Sequence, residues 1–501
     1  MPDWPSDPAE VSRRVAEMRQ TAVEVWKSRP LAERMRTVGA ARHAVAADSE
    51  RLIRLARTPQ RVSDVDTMAA ECLPLCDALK FLQRRGARVL AARRLGVAGR
   101  PLWLWGSRGR VQRDALGVVL VLGAWNYPLF LGGVQTAQAL AAGNAVLWKP
   151  APGSEAVCQW FVEKLIAAGV PEAAVRVLPS DVETARTVLE AGVDLVVLTG
   201  SAATGRTVLR AAAETLTPAI MELSGCDAAI VLPSANLERA AKLIRFGLTI
   251  NSGATCIGPR RLFLETSIAD ALQDHLDRSL ADAEPVTVHP AARRDAAGLI
   301  EDAFARGARD RLGRWDGQRF AADGRMYPLV LEGVRADWPI ASADLFAPVT
   351  TVQRFSDTAD MIARCNDCSY GLAAAVFGDR SAAQDIADKL CVGTVTINDL
   401  VAPTADPRAP FGGRRQSGFG VTRGAEGLVS MTAAKVIIEN RRGFSPHADP
   451  VDDGTLEMLR GAVRTQHGRG AKNRLSGLRQ LIRGIRAAGT RANETDQQEQ
   501  P

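Results

Sequence analysis

A chain of 501 residues, 46% of them apolar, is long enough for two or three domains with large buried cores. Plentiful Gly and Ala with few aromatics favour the close helix–sheet packing of an α/β protein over a β sandwich, and no apolar run approaches the roughly 18 residues a spanning helix needs. The net charge of +7 does not point to a nucleic-acid-binding body, because nine basic residues and no acid fall between Leu459 and Arg491, leaving the remainder at −2.

The opening "MPDWPSDPAEVSRR" carries early acids and no apolar core, so a signal peptide is not expected and a cytoplasmic location is. Residues 8–95 read as helices, with apolar positions three and four apart. From residue 115 the texture changes. "ALGVVLVLGAW" predicts a buried strand, "FLGGVQTAQALAAG" a helix ending at Gly143, "NAVLWKP" a strand, and "SEAVCQWFVEKLIAAG" a helix closed by Gly169. "AAVRVLP", "DVETARTVLEAG", "VDLVVLTG" and "SAATGRTVLRAAAE" continue the alternation, which predicts a parallel sheet with helices on its faces over about 115–225. "AAIVLP" opens a second alternating region, in which the helix "NLERAAKLIRFGLTI" leads to the loop of Cys256 and the strand "RRLFLE" follows. "GTVTIND", the Gly-rich "PFGGRRQSGFG" and a strand "AAKVIIEN" come next, and the α/β pattern is lost from 442 onward.

The eight cysteines are too sparse for a disulfide framework. Cys365 and Cys368 form "CNDC", but without a second such pair or a nearby His the better reading is packing, and no metal site is visible. Cys256 is different. It sits in "NSGATCIGPR", among small residues, where a loop is either a plain helix exit or a place where a substrate reaches the sulfur.

Other candidates each have a plain alternative. "TGSAATG" puts Gly200 and a helix-capping Ser201 after a strand, where free N–H groups suit a pyrophosphate, but many strand–helix turns look alike. Lys149 ends a strand and would either bond ribose or phosphate oxygens or be solvated. Asn126, in "AWNYP", would donate to an oxyanion or simply occupy a turn. Glu222, in "IMELSG", would be a base if burial raised its pKa, and a solvated strand-end residue if not.

Taken in order, "AWNYP", "LWKPAP", "LTGSAATG", "MELSG", "NSGATC", "ADLFAPV" and "PFGGRRQSGFG" resemble the aldehyde dehydrogenase superfamily over about residues 10–440, in a divergent, bacterial-type branch. The resemblance implies oxidation of a small-molecule aldehyde to a carboxylic acid, with NAD or NADP accepting the hydride. In that reading Cys256 is the nucleophile, Asn126 and the Cys256 N–H hold the oxyanion, and Glu222 activates the hydrolytic water. Lys149, Thr199, Gly200, Ser201, Leu223, Asp344 and Phe346 match the family's cofactor-binding positions. The implied fold is a doubly wound Rossmann-type cofactor domain (1–225, with the N-terminal helices), an α/β catalytic domain (226–415), a return segment and oligomerisation arm (416–445) and a basic tail (446–501). A homodimer or homotetramer is expected.

The chain departs from the family pattern at Pro152, Ser224, Cys226, Ala254, Asp344, Ala347 and Thr422, where an acid, Gly, Lys, Gln, Glu, Gly and a second acid are common. Acyl transfer to coenzyme A is a competing reading, weighed down by Glu222, which enzymes of that type generally lack. A non-catalytic binding protein on the same fold is weighed down by the joint presence of Cys256, Glu222 and Asn126. In the tail, residues 473–489 place Leu475, Leu478, Ile482 and Ile485 at helical spacing with arginines interleaved, a pattern that suits peripheral contact with an anionic membrane or a helix packed on the body.

Overall fold

The computed structural model describes residues 4–101, 106–440 and 453–498, together with Leu104, Ala448 and Val451, and side chains as far as Arg486. The stretch 441–447, part of the expected 416–445 segment, lies outside the described residues, as do the side chains of 487–489. The chain forms two compact units, one of residues 1–93 and 111–436 and one of residues 94–110 and 437–501.

The first unit holds two large sheets. One has six strands in the order Gly418–Phe419, Ala219–Leu223, Leu195–Gly200, Val118–Leu122, Ala145–Lys149, Val175–Val177. Five are parallel, and Gly418–Phe419 pairs antiparallel on the edge. Val118–Leu122 is buried at every position because helices cover both faces, which explains its unbroken apolar run. The chain builds outward from this strand first to one side and then to the other, so the sheet order reverses between Val118–Leu122 and Leu195–Gly200. Such a reversal opens a crevice at the carboxyl ends of the two strands.

The helices follow their sequence signals. Phe130–Ala142 ends at Gly143, whose φ of 102° is a conformation glycine adopts without a Cβ penalty. Every residue of that helix is buried, since it lies between the sheet and the N-terminal helices; Trp26 of the latter donates its indole N–H to the Leu140 carbonyl at 2.7 Å. Asp181, Ser201 and Asn236 cap their helices through side-chain oxygens, each contributing about 1 kcal/mol. The helical reading of residues 8–95 needs one correction. Arg93–Leu95 is a short strand, and three exposed residues give no periodicity by which to tell strand from helix end.

The second sheet has seven strands: Arg309–Asp310, Leu329–Glu332, Val349–Phe355, Pro259–Glu265, Asp227–Val231, Ala373–Phe377, Thr394–Ile397. All are parallel except the first. Pro259–Glu265 and Asp227–Val231 lie side by side near its centre, so the Cys256 loop, which leads into Pro259–Glu265, is anchored to a buried strand.

In the second unit the tail is not irregular. Asp453–His467 and Ala471–Gln498 are helices packed against each other. Gly461, Gly477 and Gly484 sit in the contact: a Cβ on Gly461 would lie 2.1 Å from the Leu481 nitrogen, and one on Gly484 2.3 Å from that of Met458. These glycines cost helix propensity but permit backbone approach, a role that sequence periodicity does not reveal. No helix among the described residues is long and apolar enough to cross a membrane.

Candidate active site

The cofactor candidates gather at the crevice of the six-stranded sheet. Lys149, Thr199, Gly200 and Leu223 stand at or next to the carboxyl ends of parallel strands of this sheet. Ser201 caps the helix Ala202–Glu214, its Oγ accepting from the Thr204 N–H at 3.2 Å, and the other first-turn N–H groups face the strand ends without helical partners. Burial pulls the Lys149 ammonium below its ordinary pKa, against the opposing charges of Asp181 and Glu155. The Thr199 Oγ1 accepts from Gln135 Nε2 at 2.9 Å.

The Cys256 loop is bent by three consecutive residues at positive φ: Asn251 at 50°, Ser252 at 57° and Gly253 at 78°. A Cβ at Gly253 would lie 2.5 Å from the Pro348 nitrogen, so glycine is required there for space as well as for φ. The non-glycine residues are strained at such φ values, and specific bonds hold them. Ser252 Oγ donates to the Gln60 carbonyl at 2.6 Å, and Asn251 Nδ2 to the Asn126 carbonyl at 2.8 Å. Buried Arg260 gathers the carbonyls of Gly253 (2.6 Å), Thr255 (3.1 Å) and Ala347 (2.6 Å). Small residues here are thus what a sharply bent loop packed against Ala347 and Pro348 demands, and the bend leaves Cys256 facing a cavity.

That cavity has a volume of about 1020 Å³ and is lined by both Cys256 and Glu222. Phe130, Phe246, Ile250, Ile257 and Phe411 give it an apolar wall. Glu222 is buried, with Oε2 accepting from Thr422 Oγ1 at 2.8 Å and Gln135 Nε2 at 3.4 Å, while Oε1 has no partner among the described residues. Burial raises its pKa, against the pull of Arg423, Thr422 and Gln135. This is the base-like shift expected of a strand-end Glu turned inward. Burial also pushes the Cys256 thiol up, with Glu222 and Asp227 adding to the rise and Arg423 opposing it. Neither burial nor the neighbouring carboxylates favour the thiolate, so the pocket by itself does not raise its fraction. Desolvation of a charge outweighs one nearby cation, so ionisation needs a proton acceptor.

Asn126 does not line this cavity. It borders a smaller one of about 80 Å³ with Trp125, Pro152 and His289, and its Nδ2 donates to the Ala254 carbonyl at 3.0 Å, two residues before Cys256. An amide has two N–H groups, so a second donor remains beyond that bond. Asp344 accepts from Ser224 Oγ, and burial pushes its carboxyl up to about 6 despite that bond and the charge of Arg260. Phe346 lies 5.7 Å from Trp125, which stacks on His289 at 4.0 Å.

Three participants escaped the sequence reading. Arg61 and Glu71 form a buried ion pair beneath the site. Arg61 also bonds the Asn126 carbonyl and Asn251 Oδ1, and Glu71 accepts from the Phe130 N–H at 2.6 Å. Their segment reads only as helical, and nothing local marks it. Arg423 is buried on the lining of the cavity that holds Cys256. Its one sequence signal is a lone cation among the small residues of "SGFGVTRGAEG".

A family model described as the aldehyde dehydrogenase family matches residues 5–437. The chain belongs to the aldehyde dehydrogenase family. It is an oxidoreductase that takes an aldehyde to a carboxylic acid, with NAD or NADP accepting the hydride. Among aldehyde dehydrogenase relatives, the 4,4'-diapolycopene aldehyde oxidase of Methylomonas sp is 30% identical over 446 residues, covering 87% of this chain and 83% of that protein. An aldehyde dehydrogenase of Paenarthrobacter nicotinovorans is 30% identical, covering 86% of this chain and 95% of its own length. The Mycobacterium tuberculosis aldehyde dehydrogenase complexed with NAD+ superposes with a TM-score of 0.79 at 27% identity, over 87% of this chain and 91% of that one. Its α/β architecture is the one described above.

Proposed function

We propose that this aldehyde dehydrogenase oxidises a long, apolar aldehyde, with Cys256 as nucleophile, Glu222 as general base and Asn126 as oxyanion donor. The observation that carries this reading is the joint lining of one large apolar cavity by the Cys256 thiol and the buried Glu222 carboxylate. A chamber of about 1020 Å³ is at the upper end of the range for small-molecule sites, more than a short polar aldehyde fills. The relative from Methylomonas, a 4,4'-diapolycopene aldehyde oxidase, supports an apolar chain.

The Cys256 proton passes to Glu222, directly or through water, as sulfur bonds the carbonyl carbon. The oxyanion is held by the Asn126 amide and the Cys256 N–H. A bound nicotinamide would supply the hydride acceptor, and collapse of the oxyanion would leave the acyl group on Cys256 as a thioester. Once Glu222 has released that first proton to solvent, it takes a proton from water, whose oxygen attacks the Cys256 thioester; the C–S bond breaks, the carboxylic acid leaves, and the sulfur recovers the proton from Glu222. The strand-end groups fit a dinucleotide. Lys149 offers an ammonium to ribose or phosphate oxygens, and Thr199, Gly200 and Ser201 surround a helix start suited to phosphate. Asp344 offers a carboxylate to ribose hydroxyls, with Phe346 beside it and Leu223 presenting its carbonyl.

The same reading divides the chain at residue 225 into cofactor-binding and catalytic domains, consistent with the first sheet using strands within 118–223 plus the returning Gly418–Phe419 and the second using strands within 227–397. It assigns Thr432–Asn440, where Val436 is exposed, as an arm for a homodimer or homotetramer. It places the enzyme in the cytoplasm with peripheral membrane contact through 473–489, where Leu475, Leu478, Ile482 and Ile485 remain exposed on a basic helix.

The test is NADH formation at 340 nm with straight-chain aldehydes of increasing length, with and without coenzyme A. Rising kcat/KM with chain length and no dependence on coenzyme A are expected. A preference for short polar aldehydes would overturn the substrate class, and a requirement for coenzyme A would overturn hydrolysis.

A further inference from the structure

Arg423 is a buried guanidinium in an apolar chamber, and the fold goes to some length to keep it there. Its backbone has φ 61° and ψ 173°, in the positive-φ region that a side chain disfavours. Gln138 holds that turn, its Oε1 accepting from the Arg423 N–H at 3.1 Å and its Nε2 donating to the Gly424 carbonyl at 3.3 Å. The guanidinium lies over the rings of Phe411 at 4.1 Å and Phe130 at 5.4 Å, and Nη1 donates to the Thr404 carbonyl at 2.6 Å. Nε is buried and has no partner among the described residues. Among the described residues no carboxylate pairs with Arg423 directly. The preceding residue, Thr422, is the one that bonds Glu222, and Arg423 lines the same cavity as Glu222 and Cys256.

An unpaired cation inside a protein is expensive unless it balances something. Here the balance is one negative charge that has two possible seats. Glu222 and Arg423 are the buried charged residues of the chamber lining, the others being half-buried or exposed; with Glu222 ionised and Cys256 protonated, this inner wall holds one anion and one cation. When the Cys256 proton moves to Glu222, it again holds one of each, with the charge now on sulfur.

We propose that Arg423 is a positioning residue that serves as the fixed countercharge for proton transfer between Cys256 and Glu222. This deepens the assignment of those two residues and rests on it. The other charged groups that act on Cys256 through space are Asp227, Asp344 and Arg260. The two carboxyls act against a thiolate, and Arg260 is committed to the loop carbonyls of Gly253, Thr255 and Ala347. Arg423 is the leading charge that opposes burial at Glu222 and the one that opposes it at Cys256.

Alkylation of Cys256 by iodoacetamide tests this without substrate or cofactor, since sulfur bonds carbon and iodide leaves only from the thiolate. The full-length protein is labelled across pH 6–10, and Cys256 is followed by peptide mass spectrometry, with a melting temperature for each variant. In Arg423→Met the rate at neutral pH should fall at least about tenfold and the inflection should move up by about one unit or more, one unit corresponding to a tenfold change. Arg423→Lys, which keeps the charge, should keep most of the wild-type profile. A folded Arg423→Met with the wild-type inflection overturns the proposal. If Arg423→Met does not fold, Arg423→Lys and Arg423→Gln are compared: an upward displacement for Gln alone supports the countercharge, and coincident profiles overturn it. Failure of Cys256 to be the nucleophile would appear separately, as turnover surviving in Cys256→Ala.

Discussion

Thr422 donates its hydroxyl hydrogen to Glu222 at 2.8 Å, across 200 residues of sequence. The family resemblance implies an acid at this position; a carboxylate there would repel Glu222, whereas Thr422 bonds it. The bond favours ionised Glu222 and partly offsets the effect of burial.

Thr422→Val keeps the shape and removes this bond. A hydrogen bond to a charged group contributes roughly 1.5–3 kcal/mol. Its loss should raise the Glu222 pKa by about one to two units, at 1.36 kcal/mol per unit. The sign follows from the bond serving the charged form only. The acidic limb of kcat against pH should therefore move to higher pH, and activity near pH 7 should fall several-fold. An unmoved limb would show that Thr422 does not tune the base.

Cys256→Ala should abolish aldehyde oxidation, whereas Cys365→Ala and Cys368→Ala, which change buried cysteines distant from the cavity lining, should leave it largely intact. Glu222→Gln should slow thioester hydrolysis more than hydride transfer, giving a burst of reduced cofactor and then a stall. Stopped-flow absorbance at 340 nm resolves the two phases. Turnover in Cys256→Ala, or an unchanged steady state in Glu222→Gln, would remove the respective assignment.

NADP+ should be used measurably beside NAD+. Pro152 stands where an acid often meets the ribose diol, and it offers no charge to repel a 2′-phosphate. The ratio of kcat/KM values for the two cofactors decides this. Rejection of NADP+ by orders of magnitude would mean that another group excludes the phosphate.

The helical tail should hold the protein on anionic vesicles. Each Lys or Arg near such a surface contributes about 1 kcal/mol, and the exposed Leu475, Leu478, Ile482 and Ile485 add apolar contact. Co-sedimentation with phosphatidylserine-containing vesicles should recover the full chain but not a truncation at Asp449, and the difference should shrink at high salt. Equal recovery of both proteins would rule the tail out as the anchor.

Periodicity was enough to locate the strands and helices from Val118 to Ala219, because apolar runs, Gly143 and Gly169 as stops and Asp181 and Ser201 as caps are local signals of local structure. The order of motifs was likewise legible, and with it Cys256, Glu222 and the strand-end Lys149. What the sequence by itself determined is which elements form and which side chains stand at their ends. Only the tertiary structure decided which of those ends meet. The switch point arises from the lateral order of strands, which no single segment encodes. The Arg61–Glu71 pair beneath the Cys256 loop, the Thr422 bond to Glu222 and the burial of Arg423 join segments about 60 to 200 residues apart. The tail makes the same point, since its glycines read as helix weakeners until the second helix packs against them. A charge in a loop and a charge in a chamber have the same letter in the sequence. Desolvation, which sets their chemistry, exists only once the chain has closed around them.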